Sequence, residues 1–157
     1  MSKIYKLDNS NRNMVERKFG LGVIICIFNR NFSKILLLKR NEEKRKRNGA
    51  DWGNVGGKVE LGEKLLDACI REAKEEIGIK LNPDKLKLIE IKETPFLTEI
   101  HHALHFVYAT IIDEKEKIIL NEESDEHKWF DLNDLPEKMF DKKEDIIRIR
   151  NKAIKEK

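Results

Sequence analysis

Three glutamates, Glu72, Glu75 and Glu76, stand at i, i+3 and i+4 within residues 57–79, GKVELGEKLLDACIREAKEEIGI. On a helix that spacing gathers the carboxylates on one arc. Like charges so placed repel by ~0.2–0.5 kcal/mol per pair, and Arg71, four before Glu75, is the obvious local relief. Ala68, one turn before Glu72, leaves room beside them. Next to the glycine pair Gly56 and Gly57, such carboxylates form a donor set for a hard cation, Mg²⁺ or Mn²⁺, which takes oxygen ligands. The alternative is a plain solvated face. The adjoining glycine loop and the spacing favour the metal site.

Those carboxylates need a helix to hold them. No proline interrupts the stretch, its residues are mostly strong helix formers, and Gly78 stands where a left-handed cap belongs. Leu66, Cys69, Ile70, Ala73 and Ile77 form the arc expected to face a core, and Lys64, Asp67, Arg71 and Lys74 the arc expected in solvent. Before the helix, residues 21–28 (LGVIICIF) read as a strand covered on both faces, and 34–38 (KILLL) as its hairpin return. Residues 41–49 (NEEKRKRNG) read as a solvated charged loop rather than a nuclear-import signal. After the helix come a turn at Asn82-Pro83, strands over 86–92 and 105–112, a turn over 114–117 and a short strand over 118–120. Residues 4–7 form a candidate edge strand. Asp141 with Glu144 has capping-box spacing ahead of an amphipathic helix carrying Ile146, Ile147, Ile149 and Ile154.

The stretch 57–79 resembles the Nudix box, G-x5-E-x7-R-E-U-x-E-E-x-G-U, with U a bulky apolar or small residue. Gly57, Glu63, Arg71, Glu72, Ala73, Glu75, Glu76, Gly78 and Ile79 fill its specified positions. The resemblance implies an α/β fold, a Nudix-like α/β/α sandwich with a central mixed sheet. It implies one domain over residues 19–157, C-terminal helix included, behind a polar segment 1–18. It also implies a hydrolase of nucleoside diphosphates linked to another group X, with Mg²⁺ (or Mn²⁺) held by Glu72, Glu75, Glu76 and the carbonyl of Gly56. Glu75, Glu76 and Arg71 then belong to the catalytic set. Arg71 acts by orienting Glu75, and Glu63 by capping amides or pairing with Arg71. Arg40 and Lys58 are candidates to meet substrate phosphates. Residues 123–129, E-x-x-E-x-x-W, resemble the segment that closes many Nudix sites, which makes Glu123, then Glu126, the candidate base or extra ligand. Family members commonly carry proline where this chain has Val55, so a fixed φ is missing before the glycines.

The implied substrate is a nucleoside triphosphate, oxidised or non-standard forms included, split to monophosphate and diphosphate. ADP-ribose is the alternative, because Pro95 stands where a subset of ADP-ribose-cleaving relatives carries a proline. A sensor that binds nucleotide without cleaving it is the third reading, weakened because no box glutamate is missing.

Composition bounds the rest. At 157 residues the chain can bury one substantial core. Charged residues make up 39% of it yet nearly balance, at +3, which argues against a dedicated nucleic-acid binder. With neither a signal-peptide pattern nor a membrane-length apolar run, the expectation is a soluble cytoplasmic protein without a membrane partner, a monomer or homodimer acting on a small nucleotide. Cys26 and Cys69 are expected as packed reduced thiols. His101, His102 and His105 lack cysteine or acidic partners at ligand spacing, so strand-end and pocket-lining roles are expected rather than zinc.

Overall fold

The computed structural model describes residues 3–7, 14–98 and 101–156. Strand β1 (Lys3–Leu7) pairs antiparallel with the start of β2 (Met14–Phe28), so the candidate edge strand is present. The apolar run at 21–28 is the second half of β2. Then follow β3 (Lys34–Arg40), α1 (Glu42–Asn48), β4 (Trp52–Gly53), β5 (Val55–Lys58), α2 (Leu65–Ile77), β6 (Lys87–Thr98), β7 (His101–Ile111), β8 (Ser124–Asp131) and α3 (Lys143–Lys155).

Strand β2 is the hub. One of its edges takes β1, β5 and β3 in turn, all antiparallel, while β7 runs parallel to the other edge from Lys18 to Phe28. Strand β6 continues beyond β7, and β8 pairs with β3. The sheet is therefore mixed, as expected of an α/β/α sandwich. Alternation along the strands splits the core between its faces. Val23, Ile25 and Ile27, with Leu36 and Leu38, pack against Ala68, Cys69, Ala73 and Ile77 of α2. Cys26 and Phe28, with Ile35 and Leu37, pack against Ile146, Ile149 and Ala153 of α3. Fully burying one such aliphatic side chain contributes ~1.5–3 kcal/mol, so a strand buried on both faces anchors both helices. Both cysteines are free thiols inside this core.

Several local expectations are corrected. Residues 41–49 form a helix rather than a loop. The Asn41 side chain accepts from Lys44 N, acidic residues fill the first turn of α1 and basic ones the last, and Gly49 closes it in the left-handed region. The glycine pair lies in strand β5 rather than a loop. Residues 118–120 form no strand; Ile119 instead donates its amide to the Ile77 carbonyl at 2.9 Å. In α2, Leu66 is exposed, and the buried face turns toward Ala68, Glu72 and Glu76. In α3, Ile147 is exposed and Ala153 takes its place in the core. No capping box forms at α3: its N-cap is Lys142, without a side-chain bond. Asp141 is buried instead, accepting from Asn54 Nδ2 at 2.9 Å and Lys92 Nζ at 3.3 Å. Pro95 sits within edge strand β6, where the pairing with β7 shifts register between Thr94 and Thr98. A residue without an N–H fits such an irregularity.

Helix α3 is also fastened by charge. Glu90 of β6 accepts from Arg148 at 2.6 and 3.2 Å and from Lys152 at 3.0 Å. Arg148, then Lys152, holds the Glu90 carboxyl below its ordinary value of 4.5. Its stabilisation is thus complete above that value and is lost as pH falls through the lower, folded one. Melting curves of wild type and Glu90→Gln should differ most near neutral pH and draw together as pH falls below 4.5 through the lower, folded value, where Glu90 becomes protonated in both states. A difference that persists undiminished in acid would place the effect in packing alone.

Candidate active site

The site is built where β5 crosses α2. Residues 55–58 pair with 22–25 of β2, and the buried face of α2 lies beneath that strand. No side chain can intervene there. A Cβ on Gly56 would stand 2.2 Å from the Val23 carbonyl oxygen, and one on Gly57 would stand 2.3 Å from Glu72 Oε1. The missing side chains let two carboxylates lie against bare backbone.

Glu72 and Glu76 are both buried, at 9% and 7% exposure. Glu76 Oε2 accepts the Gly56 amide at 3.0 Å. Burial pushes the Glu76 carboxyl up to about 8, a shift the Gly56 bond opposes and the charges of Glu72 and Glu123 reinforce. Burial also raises Glu72, with Arg71 pulling it back down and Glu75 and Glu123 adding repulsion. Glu75 is exposed and reaches Arg71 at 3.2 Å.

Arg71 is the hub of the polar network, not a member of a solvated arc. It pairs with both oxygens of Glu63, at 2.7 and 3.0 Å. It also donates to Glu72 at 2.8 Å, to Glu75 and to the Lys58 carbonyl at 2.9 Å. Glu63, chiefly through Arg71, is held below its ordinary value, and Glu63 in turn raises Arg71. Glu63 therefore pairs with Arg71 and also accepts an amide, that of Glu60 at 2.9 Å. The side chain of Lys58 is exposed at the rim.

Above the carboxylates opens a cleft of about 830 Å³, lined by Arg40, Asn54, Gly56, Glu72, His101 and Phe140 among others. Among the described residues, the buried side-chain polar atoms without a partner are Arg40 Nε, Asn54 Oδ1 and His101 Nε2, and all belong to residues lining this cleft. Buried polar groups are normally satisfied, so these three atoms are exceptions gathered around the cleft. The Arg40 guanidinium also lies 5.3 Å from the ring of Phe140. His101 and His105 line the cleft as expected, whereas His102 turns to Glu93 at 2.8 Å. Glu123 contacts Lys44 of α1, and its charge acts on Glu72, Glu76 and Arg40. Glu126 lies farther along β8 and pairs with Lys39 at 3.7 Å.

The sequence carried no signal for the far wall. Asn54, Phe140 and Asp141 reach the cleft because the Asp51 and Trp52 amides bond the Lys138 carbonyl and the Phe140 amide bonds that of Trp52. A hydrophobic residue next to an acidic one shows nothing of such long-range zipping. Lys44 did leave a trace: Asn41 three residues before it is an N-cap signal that places it on a helix.

The residues fit a divalent cation in donor type. Glu72 and Glu76 are buried oxygen donors whose negative charge is short of compensation, and Gly57 leaves the hollow that a Cβ would fill. Among the described residues, no three such groups converge on one point as they stand. Arg71, the Gly56 amide and Lys44 hold the carboxylates apart instead.

A family profile for the NUDIX domain matches residues 18–148. The ADP-ribose pyrophosphatase of Methanocaldococcus jannaschii is 32% identical over 122 residues, 76% of this chain and 69% of that protein. The m7GpppN-mRNA hydrolase NUDT17 of Danio rerio is 35% identical over 102 residues, 59% of this chain, and the match spans only 33% of its length. Among solved structures, a MutT NUDIX hydrolase from Burkholderia pseudomallei superposes with a TM-score of 0.67 at 26% identity, over 85% of this chain and 97% of that one. The chain belongs to the NUDIX family.

The two glycines should fail differently when given a methyl group. Gly56→Ala drives a Cβ into backbone and should lower stability on the order of 1–3 kcal/mol. Gly57→Ala meets only the end of the Glu72 side chain, so it should fold with a melting temperature near wild type yet lose metal response and activity. Equal melting temperatures for both variants would contradict this division.

Proposed function

We propose that the protein is a metal-dependent pyrophosphohydrolase of nucleoside diphosphates linked to another group. The preferred substrate is a nucleoside triphosphate, standard, oxidised or otherwise modified, split to monophosphate and diphosphate. One observation carries the reading: two buried, undercompensated carboxylates lie against the glycine pair of β5, and one of them, Glu72, lines a cleft together with Arg40 and Lys58. A diphosphate concentrates negative charge, which must be neutralised before water can attack phosphorus. Mg²⁺, with Mn²⁺ as substitute, held by Glu72, Glu75, Glu76 and the Gly56 carbonyl, would supply that neutralisation and Lewis acidity at the leaving oxygen.

The chain's own residues do the rest. Arg71 and Glu63 fix the carboxylate geometry. Arg40, which lines the cleft, is the candidate to meet a substrate phosphate, and Lys58 at the rim offers a second positive charge. Glu123 is the candidate to take the proton of the attacking water, because its charge is felt by both buried glutamates. Glu126, tied across the strand to Lys39, is the second choice. ADP-ribose hydrolysis is kept as the other reading, supported by the relative from Methanocaldococcus jannaschii. The nucleotide ligand is small. No helix among the described residues is long and apolar enough to cross a membrane.

Release of diphosphate from nucleoside triphosphates, or of AMP from ADP-ribose, in the presence of Mg²⁺ separates the two substrates; no release from either sinks both. Glu123→Gln should cut kcat by ~10²–10⁴-fold, and Glu126→Gln far less. The reverse ranking moves the role to Glu126.

Glu76 gives a further test. Its carboxyl titrates at about 8 in the folded protein against 4.5 otherwise. Between those values the folded protein holds a proton that the unfolded chain has lost. The group's contribution therefore falls as pH rises from the lower value to the higher. In EDTA above pH ~8, Glu76→Gln should melt no lower than wild type, since it removes that loss. It should also blunt the Mg²⁺-induced rise in Tm and cut hydrolysis by orders of magnitude. A wild-type curve unmoved by Mg²⁺, with hydrolysis surviving Glu76→Gln, would rule out the metal site.

A further inference from the structure

Helix α1 is anchored to the turn that carries Glu123. The Asn41 amide bonds the Glu123 carbonyl at 2.9 Å, and Asn41 Nδ2 bonds the Glu122 carbonyl at 3.0 Å. Arg45 bridges the Arg40 carbonyl at 2.6 Å and the Asp125 carboxylate at 2.8 Å. Between those two fastenings, Lys44 Nζ is set against the Glu123 carboxylate, with its backbone amide fixed by the Asn41 cap. The other basic residues of the helix, Lys46 and Arg47, pair with Glu42 and Glu43 on the solvent side. Lys44 is thus the ammonium group that α1 delivers to the carboxylate cluster. Its charge also acts on buried Glu76, while Glu123 repels both Glu72 and Glu76.

From this placement we infer that Lys44 is a tethered counter-cation, which holds Glu123 in the metal-free protein and competes with the divalent cation for the cluster. The inference rests on the metal site proposed above. Without a metal, the cations that meet Glu72, Glu76 and Glu123 by contact or by charge are Lys44, Arg71 and Arg40, the last stacked over Phe140 and in no ion pair with the cluster. Arg71 is fixed by its bonds to Glu63, Glu72, Glu75 and Lys58, so it cannot leave. Lys44 is held by one carboxylate, on a flexible four-carbon stem at a half-buried site. When a doubly charged ion enters, Lys44 is the cation that can swing out to solvent and free Glu123. Lys44 is accordingly a positioning residue. It keeps the empty cluster from repelling itself apart and sets the threshold at which metal takes over.

The test is Mn²⁺ binding without nucleotide, by calorimetry at low ionic strength, on wild type, Lys44→Met and Lys46→Met, beside melting curves in EDTA. Lys44→Met keeps the apolar stem and removes the charge. It should bind Mn²⁺ about two- to fivefold more tightly, the scale of one partly exposed ion pair, and melt lower than wild type in EDTA. Lys46→Met, the same charge change on the solvent side, should match wild type in Mn²⁺ affinity. Lys44→Gln replaces Lys44→Met if the methionine variant aggregates. Unchanged or weaker Mn²⁺ binding by the Lys44 variant, or equal tightening by Lys46→Met, overturns the inference while leaving the metal site intact. A wild type that takes up no Mn²⁺ at millimolar concentration overturns the metal site itself, and the role of Lys44 with it.

Discussion

Two acidic side chains are pressed against the glycine pair of β5, where the strand has no side chains, and much of the molecule is arranged around that contact. Burying a carboxylate costs several kcal/mol unless its charge is met, and a second one nearby adds repulsion. Glu72 and Glu76 accept that cost at the same crossing of β5 and α2. The Gly56 amide meets one of them and Arg71 meets the other. Arg71 is itself locked by Glu63, and Glu63, Arg71 and Glu72 all line the cleft, so the compensated side of the network borders the cavity.

Such a contact needs a rigid support, and β2 provides it. Val23 and Ile24 pair with Gly57 and Gly56, which sets the height of the glycine strand over the helix. The same strand sends Val23, Ile25 and Ile27 toward α2 and Cys26 and Phe28 toward α3. A one-residue slip of β2 would exchange the two cores and lift β5 off the carboxylates together. Register of the sheet and geometry of the site are therefore a single constraint.

That coupling explains what could be read from the sequence. The helix, its Gly78 cap and the two-sided strand follow from local periodicity and turn chemistry, the mixed sheet from the resemblance to the family, and the structure has them all. The box glutamates were legible because helical spacing alone places them together. Arc geometry put Arg71 in solvent, whereas the expected pairing of Glu63 with Arg71, which the structure has, is what draws it into the network. Leu66 was misplaced because β5 packs on the Ala68 side of the helix. Asp141 looked like a helix cap, but its partners Asn54 and Lys92 come from distant strands. Residues 41–49 carried cap signals at both ends, and their density of charge concealed them.

Charge density misleads there because a net count hides arrangement. The chain is close to neutral overall, yet around the cleft the charges are sorted. Glu72 lines the cleft, with Glu76 buried nearby and the charge of Glu123 acting on both. Arg40 stands on the wall, Lys58 on the rim and Lys44 at the hinge between α1 and the Glu123 turn. A polyanionic ligand alone would be repelled by those carboxylates, and a cation alone would be resisted by those bases. On the function proposed above, a diphosphate carried with its cation would satisfy both, the metal meeting the carboxylates and the phosphate oxygens meeting Arg40, so this sorting of opposite charges would favour the two ligands together over either alone.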